Sequence, residues 1–307
     1  MKSENYIDQL YAIMNNGELT QGELAGVLNV SFAALNRWLN GHSVPHKRRL
    51  AEIEKLYRSV VGYSSIEKQT VDNAVTEAKK CCDRSMWQFI KSHDRLLKAL
   101  LLEHTYNSTA IEGSTFSRNE TQVVIFDKVI IKNKSLVEHL EITNHAVVLR
   151  RILTDEYSAE ISEAIIKHIH SGVVQGIRED AGKYAEYQRV IHGLDIMLTH
   201  PNDIAEEMGC LIYDWNLKKN KTIKDIAEFH IRFELIHPFG DGNGRVGRLI
   251  MVLQCLSLNY PPVIIENAQK AEYYDVLEFA QKKDAKPFIL FLIEEMNRTK
   301  KIIDRYK

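Results

Sequence analysis

Along most of this chain apolar residues return at intervals of three and four, with little strict alternation, which predicts helices and few strands. The stretches 89–102 (FIKSHDRLLKALLL), 135–153 and 159–175 each read as amphipathic helices. Ile226, Phe229, Phe233 and Ile236 fall on one helical face. The apolar run LIMVLQCLSL (249–258) predicts a buried helix, too short to span a bilayer and interrupted by Gln254. Two short stretches read otherwise. YQRVIHGLDIML (187–198), with Gly193 at its centre, suggests a β-hairpin, and PPVIIEN (261–267) suggests an extended segment. VVGYSSIEKQT (60–70) is polar and aperiodic, the best candidate for a linker. The expected architecture is mainly α, with a small all-α module over 1–62, a helical region over 63–155 and a larger core over 156–307.

Within the first module, TQGELAGVLNVSFAALNRWLNG (20–41) has room for two short helices. Thr20 and Glu23 have the spacing of a capping box, and Ser31 can cap the second helix. Leu24 and Leu28 share a face, and small Ala25 lets the second helix approach. Asn29 stands where the turn needs a residue tolerant of positive φ, Leu35 and Trp38 point inward, and Gly41 closes the helix. This pattern resembles the repressor-type helix-turn-helix, whose second helix enters the major groove of DNA. The resemblance makes Ser31, Phe32, Ala33, Asn36 and Arg37 the outward positions that would meet base edges. Lys47, Arg48 and Arg49 form a basic cluster suited to phosphates. Residues 1–60 carry seven Lys/Arg against six Asp/Glu, however, so a protein-binding or dimerising role stands beside DNA binding.

Composition narrows the remaining options. The hydrophobic fraction of 45% and charged fraction of 26% are those of a chain with an ordinary core. A formal net charge of −1 provides no global field for nucleic acid or membrane, so such contacts must be local. The first residues lack a basic flank before an apolar run, so no signal peptide is expected. Cys81, Cys82, Cys210 and Cys255 have no zinc spacing and suggest reduced thiols, and the expectation is a cytoplasmic protein without membrane contact.

Four of the 15 glycines fall within the twelve residues HPFGDGNGRVGR, from His237 to Arg248. A Walker A loop would need Lys and then Ser/Thr after its last glycine, and an EF-hand starting at Asp241 would need Gly and Glu where Val246 and Val252 stand. Gly242 to Gly247 is a literal GxGxxG, but it follows a helical pattern and not a strand, so a dinucleotide fingerprint is set aside. The residue before Pro238 is driven out of α geometry, so a helix ends at His237. Gly240, Gly242 and Gly244 permit a tight turn with exposed amides. The helix beginning near Gly244 directs its N–H groups at the same place. Arg245 and Arg248, three apart, can reach one polyphosphate, Asp241 suits a Mg²⁺ ion, and His237 can take a proton near neutral pH. A base, a metal-binding carboxylate and an anion cradle together suggest phosphate-anhydride chemistry on a hydroxyl.

The string resembles the Fic/DOC family motif HxFx[D/E]GNGRxxR at every fixed position. The resemblance implies a helical Fic domain with a short β-hairpin flap, and transfer of AMP from ATP to a Ser, Thr or Tyr hydroxyl of a protein. It implies that His237 deprotonates that hydroxyl and that Asp241 holds Mg²⁺. Gly242, Asn243, Gly244, Arg245, Gly247 and Arg248 would bind the phosphates, and Phe239 would anchor the loop. The flap that docks the target would lie near Arg189, Val190, Ile191 and His192. The family's usual G-x-x-R is broken there, because Ala185 follows Gly182. Tyr273 and Tyr274 are similar to aromatics of the family's adenine pocket, and ordinary helix aromatics are the alternative. Ser108-Thr-Ala-Ile-Glu112-Gly113 resembles the family's inhibitory motif, in which Glu112 would pair with Arg248.

The reading is a self-inhibited protein adenylyltransferase that uses ATP and Mg²⁺, acts on a protein hydroxyl (its own included), and carries a DNA-binding module that suits a homodimer. Two others stand beside it: a DNA-binding regulator whose Fic domain serves autoregulation, and an enzyme that removes AMP.

Overall fold

A computed structural model describes residues 6–63, 65–79, 85–154, 160–189 and 197–306. Among them lie fifteen α-helices and no strand. The chain divides into two compact units, Met1–Val71 and Asp72–Lys307.

In the first unit α1 (Tyr6–Asn16), α2 (Gln21–Val27), α3 (Phe32–Leu39) and α4 (Lys47–Tyr57) enclose Leu10, Ile13, Leu24, Leu35 and Ile53, all fully buried. The Thr20 N–H donates to Glu23 Oε2 at 2.8 Å and the Glu23 N–H to Thr20 Oγ1 at 3.2 Å, a reciprocal cap that starts α2. Asn29 turns the chain at φ 49°, and Ser31 Oγ accepts the Ala34 N–H to start α3. The expected linker is partly helical. Arg58–Gly62 continue α4 as a π-helical turn because Val60 packs against the core, and α5 (Lys68–Lys79) follows soon after.

The second unit holds α6 (Met86–Ser92), α7 (Asp94–Ile111), α8 (Arg118–Asp127), α9 (Leu136–Leu153) and α10 (Glu163–Val173). After these come α11 (Ile204–Leu217), α12 (Ile223–Ile236), α13 (Asn243–Ser257), α14 (Lys270–Lys282) and α15 (Lys286–Asp304). The helix expected over 89–102 breaks at His93, whose extended backbone (φ −122°, ψ 87°) separates α6 from α7. The axis of the unit is α13, buried along nearly its whole length and packed against α7, α9, α10 and α12. A helix buried on all its faces needs neighbours on every side, which is how the motif at its N-terminus is walled in. Residues 261–266 are in neither helix nor strand, with Val263, Ile264 and Ile265 buried. The expected hairpin lies largely at 190–196, outside the described residues. Its flanks are tied down by Ala185 N–H to Pro238 O (2.9 Å) and Thr199 N–H to Leu235 O (3.4 Å). No helix among the described residues is long and apolar enough to cross a membrane. Cys210 and Cys255 are free thiols.

Candidate active site

The site is made where α12 stops and α13 starts. His237 ends α12 in left-handed geometry (φ 50°), its N–H closing on Phe233 O at 2.9 Å. Pro238 cannot continue the helix, and the chain turns inward. Phe239 is fully buried and lies flat on His170 of α10, with ring centroids 3.8 Å apart and planes 7° off parallel. The Gly182 N–H donates to His170 Nδ1 at 2.9 Å, which leaves Nε2–H to meet Asp241 O at 3.2 Å. Asn243 locks the turn from the other side: its Oδ1 accepts the Phe239 N–H and its amide donates to Phe239 O, at 2.9 and 2.8 Å. Gly242 sits at φ 80°, and an added Cβ would also lie 3.2 Å from Val174.

The two arginines enter this loop already held. Arg245 is buried, with Nη1 on Glu141 of α9 at 2.8 Å and Nη2 on Asp241 at 3.3 Å. Arg248, equally buried, donates from Nε to Ser108 Oγ and from Nη2 to Ser108 O, both at 2.9 Å. Its Nη2 also meets Glu112 Oε1 at 2.6 Å. Glu112 caps the C-terminus of α7, and Gly113 beyond it turns at φ 102°. Its carboxylate lies over the first turn of α13: a Cβ on Gly244 would stand 2.3 Å from Oε1. A carboxylate therefore rests where helix N–H groups and a guanidinium make an anion site.

His237 is mostly buried, and burial pushes its imidazole down to about 4, with the nearby Arg189 charge acting the same way against the Glu234 carbonyl, Glu112 and Asp241. The ring is thus neutral at pH 7 and able to accept a proton. Beneath it lies Glu234, whose carboxyl burial pushes up to about 8, with Arg248 opposing and Glu112 adding. Glu234 Oε2 is 3.8 Å from His237 Nδ1, and Oε1 is 3.9 Å from His230 Nε2. His230 Nε2 is engaged by the Tyr273 hydroxyl at 2.8 Å.

Among the described residues no three His, Cys, Asp or Glu side chains gather to hold a metal by themselves. Asp241 nonetheless fits Mg²⁺. It offers a half-exposed hard carboxylate at the mouth of the anion cradle, and Mg²⁺ commonly takes one or two carboxylates with substrate phosphates completing the shell.

Several residues named from sequence sit differently from their expected roles. Gly247 faces α12, with Glu234 and Phe233 within 3.1 Å of an added Cβ, so its smallness serves helix packing. Asn243 is spent on the loop backbone. Tyr273 is buried and turned to His230, while Tyr274 beside it (5.1 Å between rings) is only partly buried. Arg189 is buried, donating from Nη2 to Thr199 O at 2.6 Å and Ile236 O at 3.2 Å, one residue before His237. Val190, Ile191 and His192 lie outside the described residues. In the first unit Phe32, Ala33 and Arg37 are exposed on α3, as are Lys47 and Arg48 at the start of α4. Asn36 is exposed but shares its Oδ1 with Gln21 and Asn40. Arg49 is drawn inward onto the carbonyls of Leu28 and Asn29, where it caps the turn after α2.

The Fic/DOC family profile matches residues 160–255, across the loop and α13, and a helix-turn-helix profile matches 10–60. The chain carries a Fic/DOC domain. A protein adenylyltransferase Fic of Nematostella vectensis is 31% identical over 226 residues, covering 69% of this chain and 50% of that protein. Its counterpart in Drosophila mojavensis is 26% identical over 279 residues, covering 87% and 51%. The chain thus spans about half the length of the curated relatives it matches. Among solved structures, Fic-1 from C. elegans superposes with a TM-score of 0.65 at 26% identity, over 83% of this chain and 76% of that one. A Fic domain-containing signaling protein from Bacteroides thetaiotaomicron gives 0.63 at 22%, over 77% and 98%, a likeness of fold.

Sequence reasoning missed Glu141, His170, Glu234 and His230. Glu234 alone left a local signal, three residues before His237 on the same helical face.

Proposed function

We propose that the protein is a self-inhibited protein adenylyltransferase that moves AMP from ATP to a hydroxyl of a target protein. The observation that carries the reading is the meeting of His237, part-buried and neutral at pH 7, with a helix N-terminus and two buried arginines around one small loop. In this reading ATP lays its phosphates on the first turn of α13 and the two guanidinium groups, with the α-phosphorus toward His237. The target hydroxyl gives its proton to His237 as its oxygen bonds to the α-phosphorus, and the bond to the β-phosphate oxygen breaks. Pyrophosphate leaves, and the target keeps AMP as a phosphodiester. Mg²⁺ bound at Asp241 would neutralise charge on the phosphates. The self-inhibition rests on Glu112, which holds the guanidinium of Arg248 and lies over Gly244.

The test is label transfer. ATP labelled at the α-phosphate should mark protein, and ATP labelled at the γ-phosphate should not. Protein labelled from the γ-position only would make the protein a kinase and end the reading.

The exposed face of α3 favours a second activity, DNA binding by the first unit. Replacing Lys47 and Arg48 with alanine is expected to weaken binding on all sequences and to flatten its salt dependence by roughly one unit of slope for each phosphate no longer neutralised. Arg37→Ala should instead relax sequence preference. Fluorescence anisotropy across a salt series reads both, and binding that ignores salt would make the module a protein-interaction unit.

A further inference from the structure

Arg189 is a buried guanidinium beside His237 to which the proposed reaction gives no task. It is 6% exposed, and no carboxylate among the described residues pairs with it. Its Nη2 donates to two main-chain carbonyls, Thr199 O at 2.6 Å and Ile236 O at 3.2 Å. Nε and Nη1 are buried without a hydrogen-bond partner. A cation is favoured at a helix C-terminus, which accounts for the bond to Ile236. It does not account for two unmet donors and an uncompensated charge, a costly arrangement that an exposed cap would avoid. Arg189 and Thr199 flank the stretch in which the sequence places the target-docking flap, and Ile236 immediately precedes His237.

We propose that Arg189 is a positioning residue for His237: one guanidinium ties both flanks of the 190–198 stretch to the last carbonyl of α12 and sets an unneutralised positive charge beside the imidazole, so that the base stays in register with the docked target. The role rests on the adenylyltransferase reading. Two effects follow from the one side chain. Burial holds His237 down to about 4, and among its neighbours Arg189 acts in the same direction, against the Glu234 carbonyl, Glu112 at the end of α7 and Asp241 in the loop. The Glu234 carboxyl, 3.8 Å from the ring, is pushed up to about 8 by burial and is uncharged at pH 7. Removing the cation therefore lets the ring keep its proton to a higher pH, where it can no longer act as a base. Removing the tie frees the end of α12 from Thr199, and a drift of about 1 Å at the reacting groups can cost roughly 10²-fold in rate.

The experiment follows the His237 ring by NMR through a pH titration, assigned by its loss in His237→Asn, in the full-length protein and in Arg189→Met and Arg189→Lys. AMP transfer from α-labelled ATP is measured beside it. Arg189→Met fills the same space without charge. Its ring should titrate at higher pH, toward the ordinary value of about 6.5, and its kcat should fall roughly tenfold or more with the KM for ATP unchanged. Arg189→Lys keeps the charge and can reach one of the two carbonyls, so its ring should titrate low and its kcat should lie between the others. A folded Arg189→Met protein whose ring titrates as in the parent would make Arg189 a helix cap only and overturn the proposal. So would an Arg189→Lys protein with the parent's kcat, which decides the matter even where Arg189→Met does not fold. If the titration follows the charge while no AMP is transferred from ATP, the positioning of His237 stands and the adenylyltransferase reading falls.

Discussion

His237→Ala is expected to lower AMP transfer by roughly 10²–10⁴-fold, the usual contribution of a general base, while leaving the fold in place. The fold should survive because the side chain is 21% exposed and sits at the end of α12, outside the packed core. The left-handed backbone at φ 50° adds no new strain, because histidine and alanine both carry a Cβ there. What disappears is the acceptor for the hydroxyl proton. Without it the attacking oxygen must carry that proton into the transition state or lose it to solvent. Binding of ATP should be little changed, since the phosphates are met by α13 and the arginines, so kcat falls and the KM for ATP does not. The pH profile supplies a second reading. Burial keeps the ring neutral down to about pH 4, so the acid limb of kcat/KM in the parent should lie below the 6.5 of a free imidazole. Transfer at near-parental rates by a folded His237→Ala protein, measured with α-labelled ATP, would remove His237 from the mechanism.

What could be read from the chain, and what could not, divides by sequence distance. The end of α12 followed from Pro238, the start of α2 from Thr20 and Glu23, and the turn after α2 from Asn29, because each is decided by backbone sterics or a cap within four residues. The groups that hold the arginines come from far away. Glu141 is 104 residues from Arg245 and lies on α9, so no local pattern announces it. His170 is 71 residues from Asp241 and looks like an ordinary position on an amphipathic helix until its ring is seen flat against Phe239. Arg49 belongs by sequence to a basic cluster, yet the unpaired carbonyls after α2 draw it inward. The break at His93 is of the same kind. The apolar spacing runs through it, and nothing in composition separates α6 from α7. The pairing of Ser108 and Glu112 with Arg248 spans about 140 residues too, and only a motif with a known family context could bring them to mind.

Glu112→Gly should raise AMP transfer, self-modification included, by at least about tenfold. Glu112 holds Arg248 Nη2 at 2.6 Å and rests on the first turn of α13, the place where a polyphosphate would bind. ATP entering the loop must then share or forgo Arg248, and its phosphates settle off line. A displacement of about 1 Å at the reacting phosphorus can cost roughly 10²-fold in rate, so even partial competition is visible in turnover. Removing the carboxylate should not collapse the site. Arg248 keeps both hydrogen bonds to Ser108, and Glu112 stands at the cap of α7, outside its interior, where glycine costs little. The gain must appear in kcat or in productive ATP binding, because Glu112 performs no step of the forward transfer. The double variant Glu112→Gly, His237→Ala should therefore be inactive, which separates release of inhibition from a new activity. Label transfer from α-labelled ATP compares the three proteins directly. A folded Glu112→Gly protein no faster than the parent would refute the inhibitory role. If the variant instead lost an ability to strip AMP from a modified protein, Glu112 would be acting on water, and removal of AMP would become the activity this carboxylate serves.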